Sequence, residues 1–295
     1  MYLTEYRHLP SSVITSPCVV DGMPEETYHA DPVEGGSLSS TGARQMAVPA
    51  KYRAALDAPP VYRDDFDFGS VAHKLVLGAG QDLHIIMKAP GVYADSMRTN
   101  AAKEDKAEAR ANNKIPIMHH DYLIAAAMAA AIERDPYARP LLQSEGVSER
   151  SLFWIEPDVD VWCRARLDRW ALLASGRWCA VDYKTATSVA KRDIEKDVRN
   201  YGYWQQDDFY RRGIRGTGLD SDPAFMFVFQ EKTDPYLIQV VQLAPEAQMY
   251  GHQKNRQALE RFRDCRAADI WPGYDDADGI LTVELPSFLA NDLEW

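Results

Sequence analysis

Hydrophobic and polar positions change their period several times along this chain, and each change marks an element. Three stretches carry the two-residue period or short apolar run of a strand: Glu149 to Ile155, Val161 to Leu167 and Trp178 to Tyr183. With a turn at Glu156-Pro157-Asp158 they predict a β-meander. Two more strands are expected over Ala224 to Phe229 and Tyr236 to Leu243. Helical spacing fills most of the remainder. Gly22 to His29 reads as a turn into a short helix, Ser37 to Ser40 caps a helix through Met46, and Pro49 opens another that Pro59-Pro60 ends. Asp67 to Gly78 predicts a helix with a small-residue start and a glycine stop, Val71, Leu75 and Leu77 facing the core and His73 lying off that stripe. Arg98 to Asn113 is charged and alanine-rich, a solvated helix or a mobile segment, and Ile115-Pro116-Ile117 breaks it. His119 to Glu133 reads as a helix stopped by Pro136 and Pro140. A long helix from about Asp193 to Arg212 and a last one from about Pro245 to Arg263 complete the pattern. The first 20 residues show no periodicity and are expected as a loose arm, with residues 21–295 forming a single domain. Strands grouped centrally with helices on both sides predict a mixed α/β fold.

Composition narrows the classes. With 46% hydrophobic and 26% charged residues in 295, a globular protein with a substantial core is expected. No apolar run nears the roughly 20 residues of a membrane span, so no membrane partner is expected. Met1-Tyr2-Leu3-Thr4-Glu5 lacks the basic-then-apolar build of a secretory signal, and a reducing cytoplasm is the expected compartment. Cys18, Cys163, Cys179 and Cys265 are scattered without a Cys-x-x-Cys, which argues against zinc and against an iron–sulfur cluster. The formal net charge of −11 disfavours non-specific coating of nucleic acid. It leaves room for a basic channel on an acidic body, or for acids gathered at a metal.

The candidate chemistry lies in Cys163-Arg164-Ala165-Arg166-Leu167-Asp168 and Cys179-Ala180-Val181-Asp182-Tyr183-Lys184-Thr185. The pattern places Asp168 at the end of one strand and Asp182-x-Lys184 at the end of the next. Two carboxylates so placed can share a hard divalent cation, and Lys184 projects beside Asp182 because positions i and i+2 share a strand face. Two acids and an ammonium are the minimum for metal-assisted phosphodiester hydrolysis, with the lysine steadying developing charge. The alternative is a pair of ordinary strand-end acids and a surface ion pair.

Other positions carry two readings each. His73 is a satisfied core histidine or a metal ligand, with Gly69 four residues earlier permitting close approach. Tyr203, Gln206 and Tyr210 share a helix face; the tyrosines suit sheet packing, while a buried Gln206 amide needs a partner. Glu149 reaches the metal or remains a solvated edge acid. Arg164 and Arg166 share a strand face with Asp168 and either touch phosphates or neutralise acids. The segment Arg98 to Lys114, Lys103 included, is a further candidate for phosphate contact, as is Thr185 beside Lys184.

Taken in order, these motifs resemble the RecE (exonuclease VIII) family of phage-type exonucleases, within the PD-(D/E)xK superfamily. The likeness includes Glu26-Thr27-Tyr28-His29-Ala30, the Gly69-x-x-x-His73 core, Glu149-Arg150-Ser151-Leu152-Phe153-Trp154, both aspartate motifs, and the run from Tyr201 to Tyr210. It implies a restriction-endonuclease-like core in a single exonuclease domain. It implies that His73, Asp168 and Asp182 bind Mg²⁺ or Mn²⁺, with the Tyr183 backbone carbonyl as a further ligand. Lys184 is then the catalytic lysine, and Gln206 with Tyr210 supports the site. The implied activity is digestion of linear double-stranded DNA from the 5′ end, leaving a 3′ overhang for a RecT-like single-strand annealing protein. The implied assembly is a ring-shaped homo-oligomer on double-stranded DNA ends. The chain departs from the family pattern at Leu167, often proline, and at Tyr183, commonly aliphatic.

Overall fold

Apolar alternation between residues 146 and 186 builds the centre of a mixed sheet, and helices cover both of its faces. The computed structural model describes residues 3–6, 13–58, 64–274 and 282–284, with side chains in helix α4 described from Phe68 onward. In chain order the elements are β1 (Leu3–Glu5), β2 (Cys18–Asp21), α1 (Glu25–His29), β3 (Leu38–Ser39), α2 (Ser40–Gln45), α3 (Pro49–Asp57) and α4 (Asp64–Leu77). Next come β4 (Leu83–Ile85), β5 (Met87–Ala89), β6 (Val92–Tyr93), α5 (Asn100–Ala111), β7 (Ile115–Ile117), α6 (His119–Arg134) and α7 (Ala138–Gln143). The chain then forms β8 (Gly146–Glu156), β9 (Val161–Leu172), β10 (Trp178–Ala186), α8 (Lys191–Tyr201), α9 (Tyr203–Gly216), β11 (Ala224–Glu231), β12 (Ile238–Val241) and α10 (Pro245–Ala268). The main sheet runs β1-β2-β8-β9-β10-β11-β12, with β3 added to β9. β8, β9 and β10 form the antiparallel meander, and the α8–α9 crossover returns β11 parallel to β10.

Leu152, Trp154, Cys163, Ala165 and Leu167 meet Phe209, Ile214, Leu259 and Phe262 on one face, under α9 and α10. Cys179, Val181, Tyr183 and Val228 meet Ala72, Val76, Met128 and Leu141 on the other, under α4, α6 and α7. Phe225, Phe227 and Phe229 of β11 are fully buried, each worth roughly 1.5–3 kcal/mol of transfer free energy.

Several expectations need correction. The supposed loose arm over residues 1–20 contributes β1 and β2, and Val19 and Val20 are buried where β2 pairs with β8. A three-residue apolar run is too short to show a period, and long-range pairing decides it. β9 and β10 extend past the expected ends, so Asp168, Asp182 and Lys184 lie within strands rather than at their ends. The long helix is two: Gly202 adopts φ 64°, ending α8 and turning the chain into α9. Helix α7 was not expected beyond Pro136. Asp135 Oδ1 accepts the N–H groups of Tyr137 (2.9 Å) and Ala138 (2.7 Å), and Pro140 falls in the first turn, where it is tolerated. Of the two readings for Arg98 to Asn113, the helix holds: α5 spans Asn100–Ala111, capped by Thr99. The expected stop at Pro59-Pro60 lies outside the described residues.

Helix α9 carries Gln206 and Tyr210, and its seat on α10 depends on Gly251. A Cβ at Gly251 would lie 2.0 Å from the Trp204 carbonyl oxygen, a backbone atom with no freedom to retreat. Gly251→Ala is expected to lower stability in urea unfolding by about 1–3 kcal/mol through forced separation of the two helices. An unchanged midpoint would show that the helices are not in backbone contact there.

Candidate metal and active site

The β9–β10 ladder stops at the Arg169–Val181 pair, one step short of Asp168 and Asp182. From there Tyr183 points its N–H and C=O toward an edge with no strand partner, and buried backbone groups must find other partners. Two side chains supply them. Asp168 Oδ2 accepts the Tyr183 N–H at 2.9 Å, and His73 Nε2 lies 2.8 Å from the Tyr183 oxygen. A carbonyl only accepts, so Nε2 donates in this contact and Nδ1 is the ring nitrogen turned toward Asp168. Nδ1 stands 3.6 Å from Asp168 Oδ2. The Tyr183 carbonyl, implied as a further metal ligand, thus meets His73 with one lone pair and keeps a second.

On the other side of Asp168 the β8–β9 ladder is also interrupted. Ser148 pairs with Arg169 and Arg150 with Leu167, while Glu149 between them takes φ 56°. A left-handed backbone costs a non-glycine residue roughly 1–2 kcal/mol. That strain brings a carboxylate into the site: ligand atoms of His73, Glu149 and Asp168 all lie within 4.8 Å of one another. Burial, and then the charge of Asp182, push the Asp168 carboxyl up to about 7, against the opposing pull of His73 and Lys184. A carboxyl that resists ionising alone is one that a cation would stabilise.

Asp182 is 1% exposed and stands outside that triad. Its Oδ1 accepts from Gln206 Nε2 at 2.6 Å, which gives the buried amide its partner. Its Oδ2 lies 2.6 Å from Lys184 Nζ, a close buried ion pair. The His73 imidazole with the Glu149 and Asp168 carboxylates fits the donor set of a divalent cation such as Mg²⁺ or Mn²⁺. Burial disfavours the Lys184 ammonium, yet Asp182 and Asp168 outweigh it and hold its pKa above the ordinary lysine value. The Tyr203 ring lies 5.1 Å from Nζ. Tyr210 packs against Phe225 and lines the cavity, its hydroxyl driven well up by burial and then by Asp182. His73, Glu149, Asp168, Lys184 and Tyr210 line a cavity of about 690 Å³, with Asp182 and Gln206 behind its lining.

The family described as a PDDEXK-like domain of unknown function (DUF3799) matches residues 48–280. The chain belongs to it. A "putative exonuclease" from Eubacterium rectale has a similar fold, with a TM-score of 0.58 over 91% of this chain and 97% of that one, at 12% identity. No curated protein matches the chain. The PDDEXK-like match confirms the restriction-endonuclease-like core, and such domains usually use divalent metals.

Two of the residues expected to contact DNA in this PDDEXK-like domain are held by acids. Arg164 is buried, with Asp31 at 2.5 Å and the Ser37 carbonyl and hydroxyl at 2.8 and 2.9 Å. Arg166 pairs with Glu149 at 2.5 Å and donates to the Met23 carbonyl. Both guanidinium groups lie 5.6 Å from the Tyr28 ring. They neutralise acids, one of the two readings above, though both line the cavity, as Thr185 does. Lys103 is exposed on α5 and is not among the cavity-lining residues. Glu25 and His29 of α1 line the cavity mouth and went unassigned in the sequence. Their i,i+4 spacing, with a 3.6 Å contact, was the available signal.

Bound Mn²⁺ is expected to stabilise the fold by about 2.7 kcal/mol at a hundredfold excess over its Kd. Asp168→Asn and Glu149→Gln should each remove most of that shift in thermal unfolding. An equal shift in both variants would place the cation elsewhere.

Proposed function

We propose that this protein is a metal-dependent DNA exonuclease of RecE type. It digests linear double-stranded DNA from the 5′ end with Mg²⁺ or Mn²⁺, and leaves a 3′ overhang for an annealing partner. One observation carries the reading: the His73, Glu149 and Asp168 donors gather beside the unpaired backbone edge of Tyr183, the residue between Asp182 and its partner Lys184. A divalent cation held there supplies positive charge to a phosphodiester and makes water more acidic.

The chain's own groups account for the rest. Lys184 is held cationic at neutral pH, so it suits stabilising the charge that develops on phosphate and is poorly suited to taking a proton. Gln206 fixes the Asp182 carboxylate, and Asp182 fixes the lysine. Arg166 offsets the charge of Glu149 when no substrate is present. Walls from α1, the start of α2 and residues 79–81 surround the cavity, which favours a strand end over an uninterrupted duplex. The acidic balance of the whole chain fits recognition confined to such a recess. A ring-shaped oligomer threaded by DNA and a RecT-like partner complete the proposal by family likeness.

End-labelled linear duplex and a closed circle, each with Mg²⁺ or EDTA, test the reading. Metal-dependent release of the 5′ label from the linear form alone is expected. Lys184→Ala should lower the rate at least about a hundredfold, as loss of a group that stabilises transition-state charge does, while DNA stays bound. Cleaved circles would make the protein an endonuclease, and bound but intact DNA would leave a binding module.

A further inference from the structure

Tyr183 is 0% exposed, in the apolar layer between the sheet and helices α4 and α6. Its hydroxyl nevertheless has a partner, donating to Gln230 Oε1 at 2.6 Å. Gln230, also 0% exposed, lies on β11 two residues beyond Val228, the strand partner of Tyr183, so the two side chains meet diagonally on one face. Gln230 Nε2 donates in turn to the Met128 carbonyl of α6 at 2.9 Å. A polar chain therefore runs from α6 through β11 to β10, inside a layer that is otherwise apolar.

Stability alone does not require this chain. Replacing both members of a buried hydrogen-bonded pair by apolar groups of similar shape is close to neutral. What the pair adds is position. The backbone of the same tyrosine holds Asp168 by its N–H and His73 by its C=O, and its ring meets the His73 ring edge-on at 5.2 Å. Apolar contacts keep a ring in its layer but leave it free to slide; a hydrogen bond to a fixed amide removes that freedom. Any slide of Tyr183 moves both candidate ligands together.

We propose that Tyr183, anchored through its hydroxyl to Gln230, is a positioning residue that aims His73 and Asp168 at a shared divalent cation. This rests on the metal-site reading above. Outer partners of metal ligands typically affect affinity by 10- to 100-fold.

The test measures Mn²⁺ affinity by calorimetry and melting temperature on the full chain. It compares the unsubstituted protein, Tyr183→Phe, and the double variant Tyr183→Phe/Gln230→Leu. Tyr183→Phe is expected to bind Mn²⁺ about tenfold more weakly. The double variant leaves neither side chain unpaired, so it should regain the melting temperature while its Mn²⁺ affinity stays about tenfold down. It also carries the test if Tyr183→Phe alone does not fold. Mn²⁺ affinity in the double variant equal to that of the unsubstituted protein would overturn the proposal and leave the metal site intact. No Mn²⁺ uptake by the unsubstituted protein would instead overturn the metal-site reading, and this inference with it.

Discussion

An interrupted strand ladder must pass its backbone groups to something else, and the site depends on that handover. A buried N–H or C=O left without a partner costs roughly 1–3 kcal/mol, more than most side-chain contacts return. Where β9 leaves β10, the Tyr183 N–H and C=O are met by Asp168 and His73, so these side chains are fixed by the needs of the main chain. The site is therefore built on strands and a helix whose packing is independent of any ligand. Rigid placement of this kind suits chemistry that relies on charges set in advance.

The same economy governs the arginines. Arg150 meets Asp21, Arg164 meets Asp31, Arg211 meets Asp207, and Arg212 meets Glu156 and Asp208, all with little exposure. Such pairs are near neutral as pairs, but removing one member strands the other, at about 3–5 kcal/mol. They act as locks between elements: Arg150 ties β8 to β2, and Arg212 ties α9 to β8. An acidic protein thus places several of its arginines inside, where they set architecture.

How much of this could be read from the sequence follows from the range of each signal. The meander, β11 and helices α2, α3, α4, α6 and α10 carry local periodicity and caps, and the aspartate motifs sit within that pattern. Asp182 and Lys184 share a face because the strand period requires it, while Gln206 meets Asp182 only through the packing of α9. Features set by long-range pairing could not be read. β2 is too short to show a period, and the break at Gly202 required knowing that φ is positive there. Glu149 opposes Asp168 only through the β8–β9 register, and its left-handed backbone leaves no mark on composition. The roles of Arg164 and Arg166 turned on Asp31, Ser37 and Glu149, partners that no spacing rule could select.

Gly251 bears on how this fold can vary. The outer surface of α10 is open to solvent and free to change, yet at Gly251 the helix lies directly on the main chain of α9. Because α9 holds the Gln206 amide against Asp182, any side chain there would be felt at the carboxylate without entering the cavity. Drift in the last helix is thus limited from within, by a hydrogen bond at the centre of the molecule.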